Sequence, residues 1–364
     1  MPLVPPHVAS LTPAFPGKPI EEAERLHADG AVAKLASNEN ALGPSPRAVA
    51  AAREAAALAH RYPDGSASLL RNAIAEKLGV DAREIFVGNG SSELVELCVR
   101  TFVLDGEQVL TSAQSRLAYK LAAQTHGRTL MEAPMKARFH YDLEAIKKLL
   151  SRRTKIVFLA NPDDPTGTWL TEAELAPFLD AVPKDTLVVL DEACVDFVEA
   201  PDFPDALALR RRYPNLVILR TLSKAHGLAG LRLGYGVARG EVVEYIDRVR
   251  PAFNVNAVAQ AAGIAALADD AHVERSRALV LEERPFLSDG LAALGATVVP
   301  SQANFVLADF PGRPGKELSE ALLGEGVEVR PAAAHGFPTA QRITVGLRAQ
   351  NEACLAALGK VLGK

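Results

Sequence analysis

The hydrophobic positions of this chain follow two alternating patterns, and the alternation predicts an α/β fold. The runs IVFL (156–159), LVVL (187–190) and LVIL (216–219) are apolar throughout. Such runs are typical of strands that are buried on both faces, as in a parallel or mixed sheet covered by helices. Between them lie stretches with apolar residues at helical spacing, for example SSELVELCVRTFV and RLAYKLAAQTHG. We therefore predict a large, doubly wound, mostly parallel sheet domain over residues 46–255.

The last third of the chain carries a different pattern. The long helical stretch VERSRALVLEERPFLSDGLAAL is followed by the short strand candidates ATVVP, ANFVLADF, VEVRP and QRITVG, with the helix candidates KELSEALLGEG and NEACLAALGKVLG among them. This mixture predicts a smaller α+β domain over residues 256–364. Residues 1–45 begin with a proline-rich stretch and contain one short strand candidate, AVAKLASNEN, so we expect an arm that joins the smaller domain.

Composition narrows the classes of protein that fit. The chain has 364 residues, of which 48% are hydrophobic and 23% charged, so it can bury a sizeable core. Its net charge is −4 and it has no basic block, so nucleic acid is not an expected partner. It has no run of 18 apolar residues, so we expect no membrane partner. Three widely spaced cysteines without a CxxC pair favour a reducing, cytoplasmic location over a disulfide or zinc scaffold.

Polar residues follow several predicted strands at the point where each strand ends. GNGSSE (88–93) follows the strand EIFV, and Asp191 follows TLVVL. Ser223 and Lys224 follow LVILRT. Each of these has a plain structural explanation when taken alone, such as a turn or a helix cap. In an open α/β sheet, however, ligands bind at the carboxyl ends of the strands, so we expect these side chains to meet.

Lys224 stands among glycine, alanine, leucine and serine, with no carboxylate in the seven residues that follow it. An amine without an ion-pair partner can form a Schiff base with an aldehyde once it loses its proton, and apolar surroundings and the nearby Arg232 favour that loss. Asp191 would keep a pyridine nitrogen protonated, so that the ring accepts electrons. These residue types predict pyridoxal 5′-phosphate as the cofactor, with Lys224 and Asp191 as the catalytic residues. Its phosphate group would be held by Ser91, Ser92, Ser223 and Arg232.

Two other kinds of site fit the sequence less well. A nicotinamide site is disfavoured because GNGSSE lacks the third glycine of the dinucleotide fingerprint and does not follow the first strand of its domain. A metal site is disfavoured because His126, His226 and His335 stand singly, without an HxxxH-type pair. We interpret these histidines as packing or surface residues.

The chain also resembles the class I and II aminotransferases of the type I fold, and most closely those that act on histidinol phosphate. The motifs that carry the resemblance occur in order along almost the whole chain: FPGKPIEEAERL, KLASNENALGPSP, RYPDGSASLLRNAIAEKLGV, IFVGNGSSE, NPDDPTGT, VVLDEA, RTLSKAHGLAGLRLGYG, ANFVLADF, VEVRP and RITVG. The resemblance implies a type I pyridoxal-phosphate-dependent transferase fold. It also implies ping-pong amino transfer between an amino donor, histidinol phosphate, and 2-oxoglutarate.

The resemblance implies roles for further residues. It assigns the catalytic lysine and aspartate and the phosphate donors as above. Arg342 would bind the acidic group of the substrate, with Arg330 as a second contact for an anion. Asn38 and Asn40 would lie beside the substrate. Tyr62 matches a tyrosine that reaches into the neighbouring subunit's site, which implies a homodimer with shared sites.

Three positions depart from the family's pattern, and all three belong to the expected contacts of the cofactor ring. The family usually has asparagine at the position of Asp164 and tyrosine at the position of Cys194, and both donate to the phenolic oxygen of the cofactor. It has a stacking aromatic residue at the position of Arg116. A thiol is a weak donor, and a buried carboxylate needs a partner, so we expect Arg116 to pair with Asp164. An active aminotransferase with an unusual ring pocket is the main interpretation; a redirected reaction, such as decarboxylation or oxidation, and a homologue that only binds ligand are the alternatives.

Overall fold

The structure, a computed structural model, describes residues 3–11 and 32–364, so the motif FPGKPIEEAERL (15–26) lies outside the described residues. The strands are β1 (Ala33–Lys34), β2 (Ile85–Asn89), β3 (Gln108–Ser112), β4 (Thr129–Ala133), β5 (Thr154–Ala160), β6 (Leu187–Asp191), β7 (Leu216–Thr221), β8 (Leu233–Val237), β9 (Thr297–Val299), β10 (Phe305–Asp309), β11 (Val327–Glu328), β12 (Arg330–Pro331) and β13 (Ala340–Thr344). The α-helices are α1 (Pro6–Ala9), α2 (Pro46–Ala56), α3 (Ser68–Leu78), α4 (Gly90–Phe102), α5 (Leu117–Thr125), α6 (Leu143–Leu149), α7 (Glu172–Ala181), α8 (Ala206–Arg212), α9 (Gly240–Val249), α10 (Ala257–Leu267), α11 (Asp270–Ala293), α12 (Gly315–Gly324) and α13 (Arg348–Leu362).

The large sheet has the strand order β2-β8-β7-β6-β5-β3-β4. Strands β3 to β7 run parallel, whereas β8 is antiparallel to both of its neighbours, β2 and β7. The apolar runs of the sequence form β5, β6 and β7, and their side chains alternate between two cores. In β5, Val157 and Leu159 belong to one core, and Ile156 and Phe158 belong to the other. The prediction of a doubly wound sheet whose strands are buried on both faces is confirmed.

Strand β8 is a feature that the sequence analysis does not predict. Its sequence, LGYGV, contains two glycines, which interrupt the apolar run that marks the other strands. Close packing requires both of them. A Cβ atom on Gly236 would overlap the ring of Phe86, and one on Gly234 would lie 2.7 Å from the backbone of Gly90. The missing side chains therefore let Phe86 of β2 and the start of α4 pack directly against β8.

A second, antiparallel sheet has the strand order β12-β13-β10-β9, and β1 pairs in parallel with β11. Because β1 belongs to the expected arm, this pairing ties the described part of the arm to the C-terminal part of the chain. The division into domains after residues 45 and 255 stays a prediction. One helix bears on it: α10 follows the second boundary but packs against α2 and α3, and its Ala259 and Ala262 belong to a core of the large sheet.

The topology brings several loops to one edge of the large sheet. Strands β3, β5, β6 and β7 are parallel, so the segments that follow them emerge side by side. The start of α4 reaches the same edge through the turn after β2. This is the edge at which open α/β sheets bind ligands.

Two kinds of structure are absent from residues 3–11 and 32–364. No helix in these ranges combines the length and the apolar composition needed to cross a lipid bilayer. Nor do their His, Cys, Asp and Glu side chains gather in threes in a way that would hold a metal ion.

Candidate active site

A cavity of about 500 Å³ lies at the carboxyl edge of the large sheet. Residues of the small sheet and of the arm close it from the other side. The sequence-predicted site residues that line it are Asn38, Ser91, Ser92, Arg116, Asp164, Asp191, Cys194, Ser223, Lys224, Arg232, Arg330 and Arg342. Two further residues predicted for the site, Asn40 and Tyr62, lie elsewhere.

Lys224 is held in the loop after β7, where its Nζ donates a hydrogen bond to the carbonyl of Ser37 at 3.1 Å. Burial lowers the pKa of Lys224 from 10.5 to about 8, and the guanidinium groups of Arg342 and Arg116 act in the same direction. The sequence analysis expects Arg232 to provide this electrostatic effect, whereas the structure assigns it to the other two arginines. The amine therefore has a substantial neutral fraction near pH 8, as a nucleophile or a base requires.

Asp191 ends β6, and its side chain is 1% exposed. Its Oδ2 accepts hydrogen bonds from Nη1 of Arg116 and from the hydroxyl of Tyr119, the latter at 3.2 Å. Its Oδ1 has no hydrogen-bond partner among the described residues. A buried carboxylate oxygen without a hydrogen-bond donor is destabilising. A ligand that donates a hydrogen bond to this oxygen would therefore bind favourably. The N–H of a protonated pyridine ring would satisfy it, and on this observation the residues present fit the cofactor expected from the sequence.

Hydroxyl groups and an arginine gather where α4 begins. Ser91 and Ser92 lie in the first turn of α4, whose backbone N–H groups lack partners within the helix. Ser223 follows β7, and Nη1 of Arg232 lies 3.5 Å from its Oγ. Gly90 has a φ of +75°, which favours glycine, and a Cβ atom there would displace the guanidinium group of Arg232. These donors form a corner of the cavity that suits a phosphate group.

The expected pair of Arg116 and Asp164 does not form, which corrects the sequence-based prediction. Nη1 of Arg116 instead binds Asp191, and its Nη2 donates to Oγ of Ser91 at 3.1 Å. Asp164 accepts a hydrogen bond from Nη1 of Arg342 at 2.6 Å. The physical reason is burial: the side chain of Asp191 is 1% exposed and that of Asp164 is 28% exposed, so the deeper carboxylate has the greater need of a cation.

The new partner keeps Asp164 ionised. Burial acts to raise the pKa of this carboxyl group, but Arg342, His335 and Arg116 outweigh it and lower that pKa to about 2. Arg342 is itself fixed, because its Nη2 donates to the carbonyl of Ala36 at 2.8 Å. The cavity therefore contains a charged, hydrogen-bonded ion pair at the position where the resemblance leads us to expect a neutral amide.

Cys194 connects the loop after β6 to the small sheet. Its Sγ lies 3.7 Å from Oδ1 of Asn304, and burial raises the pKa of the thiol to about 12, so the thiol stays neutral at physiological pH. Nδ2 of Asn304 donates to the carbonyl of Asn38 at 3.1 Å. The N–H of Asn38 donates in turn to Oγ1 of Thr344 at 2.9 Å. Cys194 and Asn38 thus belong to one series of contacts along the wall of the cavity.

Asn40 and Tyr62 take other positions than the cavity wall. Nδ2 of Asn40 donates to the carbonyl of Ala225 at 2.9 Å and to Oγ of Ser276 at 2.8 Å, so it braces the residue next to the lysine. Tyr62 is 84% exposed and stacks on Phe253 with 4.8 Å between the ring centroids. Within a single chain, neither side chain reaches the cavity.

Two residues of the site are missed by the sequence analysis. His335, interpreted there as a packing or surface residue, lines the cavity, is 6% exposed, and has no partner for Nδ1 among the described residues. Burial lowers the pKa of His335 to about 4, with Arg342 and Arg330 adding to the effect, so the ring is neutral at pH 7. Tyr119 donates to the same carboxylate as Arg116. Both residues could have been proposed from the sequence, because His335 closely follows Arg330 and Tyr119 lies one helical turn after Arg116.

Comparisons with known proteins identify the family of this chain. The family model "Aminotransferase class I and II" matches residues 31–358. The chain is 77% identical, over 100% of both chains, to a histidinol-phosphate aminotransferase of Anaeromyxobacter sp. (strain Fw109-5). It is 43% identical to the histidinol-phosphate aminotransferase of Moorella thermoacetica, with 98% of this chain and 92% of the relative covered.

A solved structure adds the fold and the cofactor of a relative. The histidinol-phosphate aminotransferase of Sinorhizobium meliloti, crystallised in complex with pyridoxal-5′-phosphate, superposes with a TM-score of 0.90 at 30% identity. The match covers 100% of this chain and 98% of the other.

Proposed function

Because the chain belongs to the class I and II aminotransferase family, whose cofactor is pyridoxal 5′-phosphate, we propose that it transfers an amino group between histidinol phosphate and 2-oxoglutarate. We choose histidinol phosphate as the amino donor because the chain is 77% identical, over the whole of both chains, to a histidinol-phosphate aminotransferase. The acceptor 2-oxoglutarate would leave as glutamate. The sequence-predicted alternatives of decarboxylation, oxidation and ligand binding alone have no comparable support.

The residues around the cavity have distinct tasks toward the cofactor in this proposal. Its phosphate group is held by Ser91, Ser92, Ser223 and Arg232. Asp191 accepts the N–H of the pyridine ring on Oδ1, the oxygen without a partner. Lys224 supplies the amine that holds the aldehyde carbon. When bound, the cofactor supplies a ring that draws electrons away from Cα of the amino donor.

We assign proton transfer at Cα of the donor to Lys224. Its pKa of about 8 leaves part of the amine neutral at physiological pH, so Nζ can accept a proton. The carbonyl of Ser37, 3.1 Å away, orients Nζ in the cavity. Burial of the amine in the cavity wall is the main cause of its low pKa.

Arg342 and Arg330 bind the acidic group of each of the two substrates in turn. This group would be the phosphate of histidinol phosphate in the first half of the reaction and a carboxylate of 2-oxoglutarate in the second. Both arginines line the cavity, which supports the assignment. Asn38 lines it beside them, whereas Asn40 would act indirectly, by bracing the lysine loop through the carbonyl of Ala225.

The active form would be a homodimer with shared sites. Tyr62 is 84% exposed, although a tyrosine usually buries its ring, and its assigned role in the neighbouring subunit's site accounts for that exposure. We also place the protein in the cytoplasm, because its three cysteines are free thiols, as is usual in a reducing compartment.

An assay of the purified protein with its cofactor tests the proposal. Histidinol phosphate and 2-oxoglutarate are supplied together, and glutamate is measured. Histidinol, which lacks the phosphate, and aspartate are the comparison donors. We expect histidinol phosphate to give the highest kcat/KM; faster turnover of either comparison donor would contradict the assigned substrate, and no turnover of any donor would contradict the assigned activity.

A further inference from the structure

Arg342, the residue assigned to the acidic group of the substrate, already has an anionic partner in the protein. Its Nη1 donates to Oδ1 of Asp164 at 2.6 Å, and its Nη2 donates to the carbonyl of Ala36 at 2.8 Å. Its Nε is buried and has no partner among the described residues. The side chain of Arg342 is 11% exposed and that of Asp164 is 28% exposed, so the pair is only partly screened by water.

A ligand's acidic group can reach Arg342 in two ways, and Asp164 opposes both. If the ligand displaces Asp164, an ionised and largely buried carboxylate loses its partner. If the ligand shares Arg342 with Asp164, two negative groups lie next to each other on one guanidinium group. Arg330 contributes a second positive charge nearby, and Asp164 cancels one of the two.

We propose that Asp164 is a specificity-determining residue: a resident carboxylate that competes with the ligand's acidic group for Arg342 and weakens binding more strongly when that group carries more negative charge. The inference rests on the proposed function for the assignment of Arg342 to that group. Its physical basis is Coulomb's law, since a fixed negative charge repels a dianion about twice as strongly as a monoanion at the same distance. Specificity of this kind comes from an unfavourable interaction that grows with the charge of the wrong ligand.

The inference has a consequence for the class of acid that the site selects. A phosphate monoester carries a charge of about −1.5 to −2 at pH 7, whereas a single carboxylate carries −1. Relative to a site with a neutral amide at position 164, this site therefore shifts preference away from dianions and toward monoanions. It binds a phosphorylated donor more weakly than the same site would with Asp164→Asn.

Binding of two unreactive acids to the purified holoenzyme tests the proposal. Propyl phosphate and butyrate place a dianionic and a monoanionic group on the same three-carbon alkyl chain, and both lack the amine and keto groups that amino transfer needs. By isothermal titration calorimetry at pH 8 and fixed ionic strength, Asp164→Asn should tighten propyl phosphate binding by about tenfold or more and butyrate binding by at most about threefold. The variant Asp164→Ser repeats the test should the asparagine variant fold poorly, and melting temperatures verify folding of each.

Glu39 offers a matched control. This carboxylate lines the same cavity but pairs with Lys34 at 3.0 Å rather than with an arginine of the anion site. Glu39→Gln removes one negative charge without releasing Arg342, so it should change the affinity for either acid by less than about threefold. An effect of Glu39→Gln as large as that of Asp164→Asn would overturn the proposal, because the cavity's total charge alone would then set the affinity.

A double-mutant cycle locates the effect at Arg342. In an Arg342→Gln background, the gain in propyl phosphate affinity from Asp164→Asn should fall to about threefold or less, because competition for the guanidinium group is gone and only direct repulsion remains. An undiminished gain from Asp164→Asn in that background would overturn the proposal, as would equal tightening of propyl phosphate and butyrate. The titrations need no turnover, so a protein that transfers no amino group can still support the competition, and an active aminotransferase can still refute it.

Discussion

At Lys224, burial changes the chemistry of the side chain. A pKa lowered from 10.5 to about 8 means that the neutral amine, which is rare in a solvated lysine at pH 7, becomes a sizeable fraction. The rate at which the cofactor-free protein attaches pyridoxal phosphate should therefore rise about tenfold per pH unit below pH 8 and level off above it. Borohydride reduction at each pH, followed by peptide mapping, measures the rate and the position of the label. A rise that continues to pH 10, or label on another lysine, would refute the assignment.

The pairing of Arg116 with Asp191 makes a second prediction for single residues. Arg116→Phe should lower the free energy of unfolding of the cofactor-free protein by about 3 kcal/mol, because it leaves a buried carboxylate with Tyr119 as its remaining partner. Urea denaturation measures the loss, and Arg116→Lys, which keeps the charge, is the control and should lose less.

The same variant distinguishes the observed pair from the one expected from the sequence. Two double-mutant cycles combine Arg116→Phe with Asp191→Asn and with Asp164→Asn. The coupling energy should be larger in the cycle with Asp191, because that carboxylate is the one that Arg116 touches. The opposite order would restore the pair of Arg116 and Asp164.

Among the elements, the strands divide into those that the sequence predicts and one that it does not. Strands β5, β6 and β7 are predicted because each contains a run of four consecutive apolar residues, which is typical of a strand covered on both faces. Strand β8 is missed because its glycines are selected by contacts with Phe86 and Gly90, residues that lie far away along the chain. The local pattern of apolar residues indicates which faces of a strand are buried. It does not indicate which residues from distant parts of the chain pack closely against that strand.

The same limit applies to the candidate site. That Asp191, Ser223 and Lys224 share a cavity can be predicted, because parallel topology brings the ends of their strands together. Which arginine pairs with which carboxylate cannot be predicted in this way. Arg116 and Asp191 are 75 positions apart, and the choice between Asp191 and Asp164 depends on their relative burial, which exists only after folding.

Strand β8 provides a prediction at the scale of an element. Gly236→Val should lower the free energy of unfolding by about 3 kcal/mol, because its Cβ would overlap the ring of Phe86. Gly230→Ala is the matched control: a Cβ there meets no atom within 4 Å, so the change should stay within about 0.5 kcal/mol. Urea denaturation compares the two. Equal effects would show that general glycine flexibility, and not this contact, governs the strand.

For the whole molecule, exposed apolar side chains in addition to Tyr62 favour assembly. Leu42, Leu58, Leu69 and Phe253 are also exposed, and an apolar groove lined in part by Ala48, Val49, Leu228 and Val258 lies on the protein. Sedimentation at micromolar concentration should therefore give a dimer.

Shared sites in that dimer can be detected by mixing two inactive proteins. Tyr62→Ala and Lys224→Ala should each lose most activity, by about a hundredfold or more for the lysine. After dissociation and reassembly together, half of the dimers should be mixed and should carry one intact site, which restores about a quarter of the wild-type activity. No recovery from mixed dimers would mean that Tyr62 serves its own subunit or none.

The contact between Arg342 and Asp164 also has a mechanical consequence. Arg342 lies on β13 of the small sheet and Asp164 follows β5 of the large sheet, so this ion pair links the two sheets. Domain-closing ligands commonly draw together the parts that they touch. An acid that displaces Asp164 from Arg342 would break this contact, so in this protein the two sheets would be held together more tightly before the acid arrives than just after it binds.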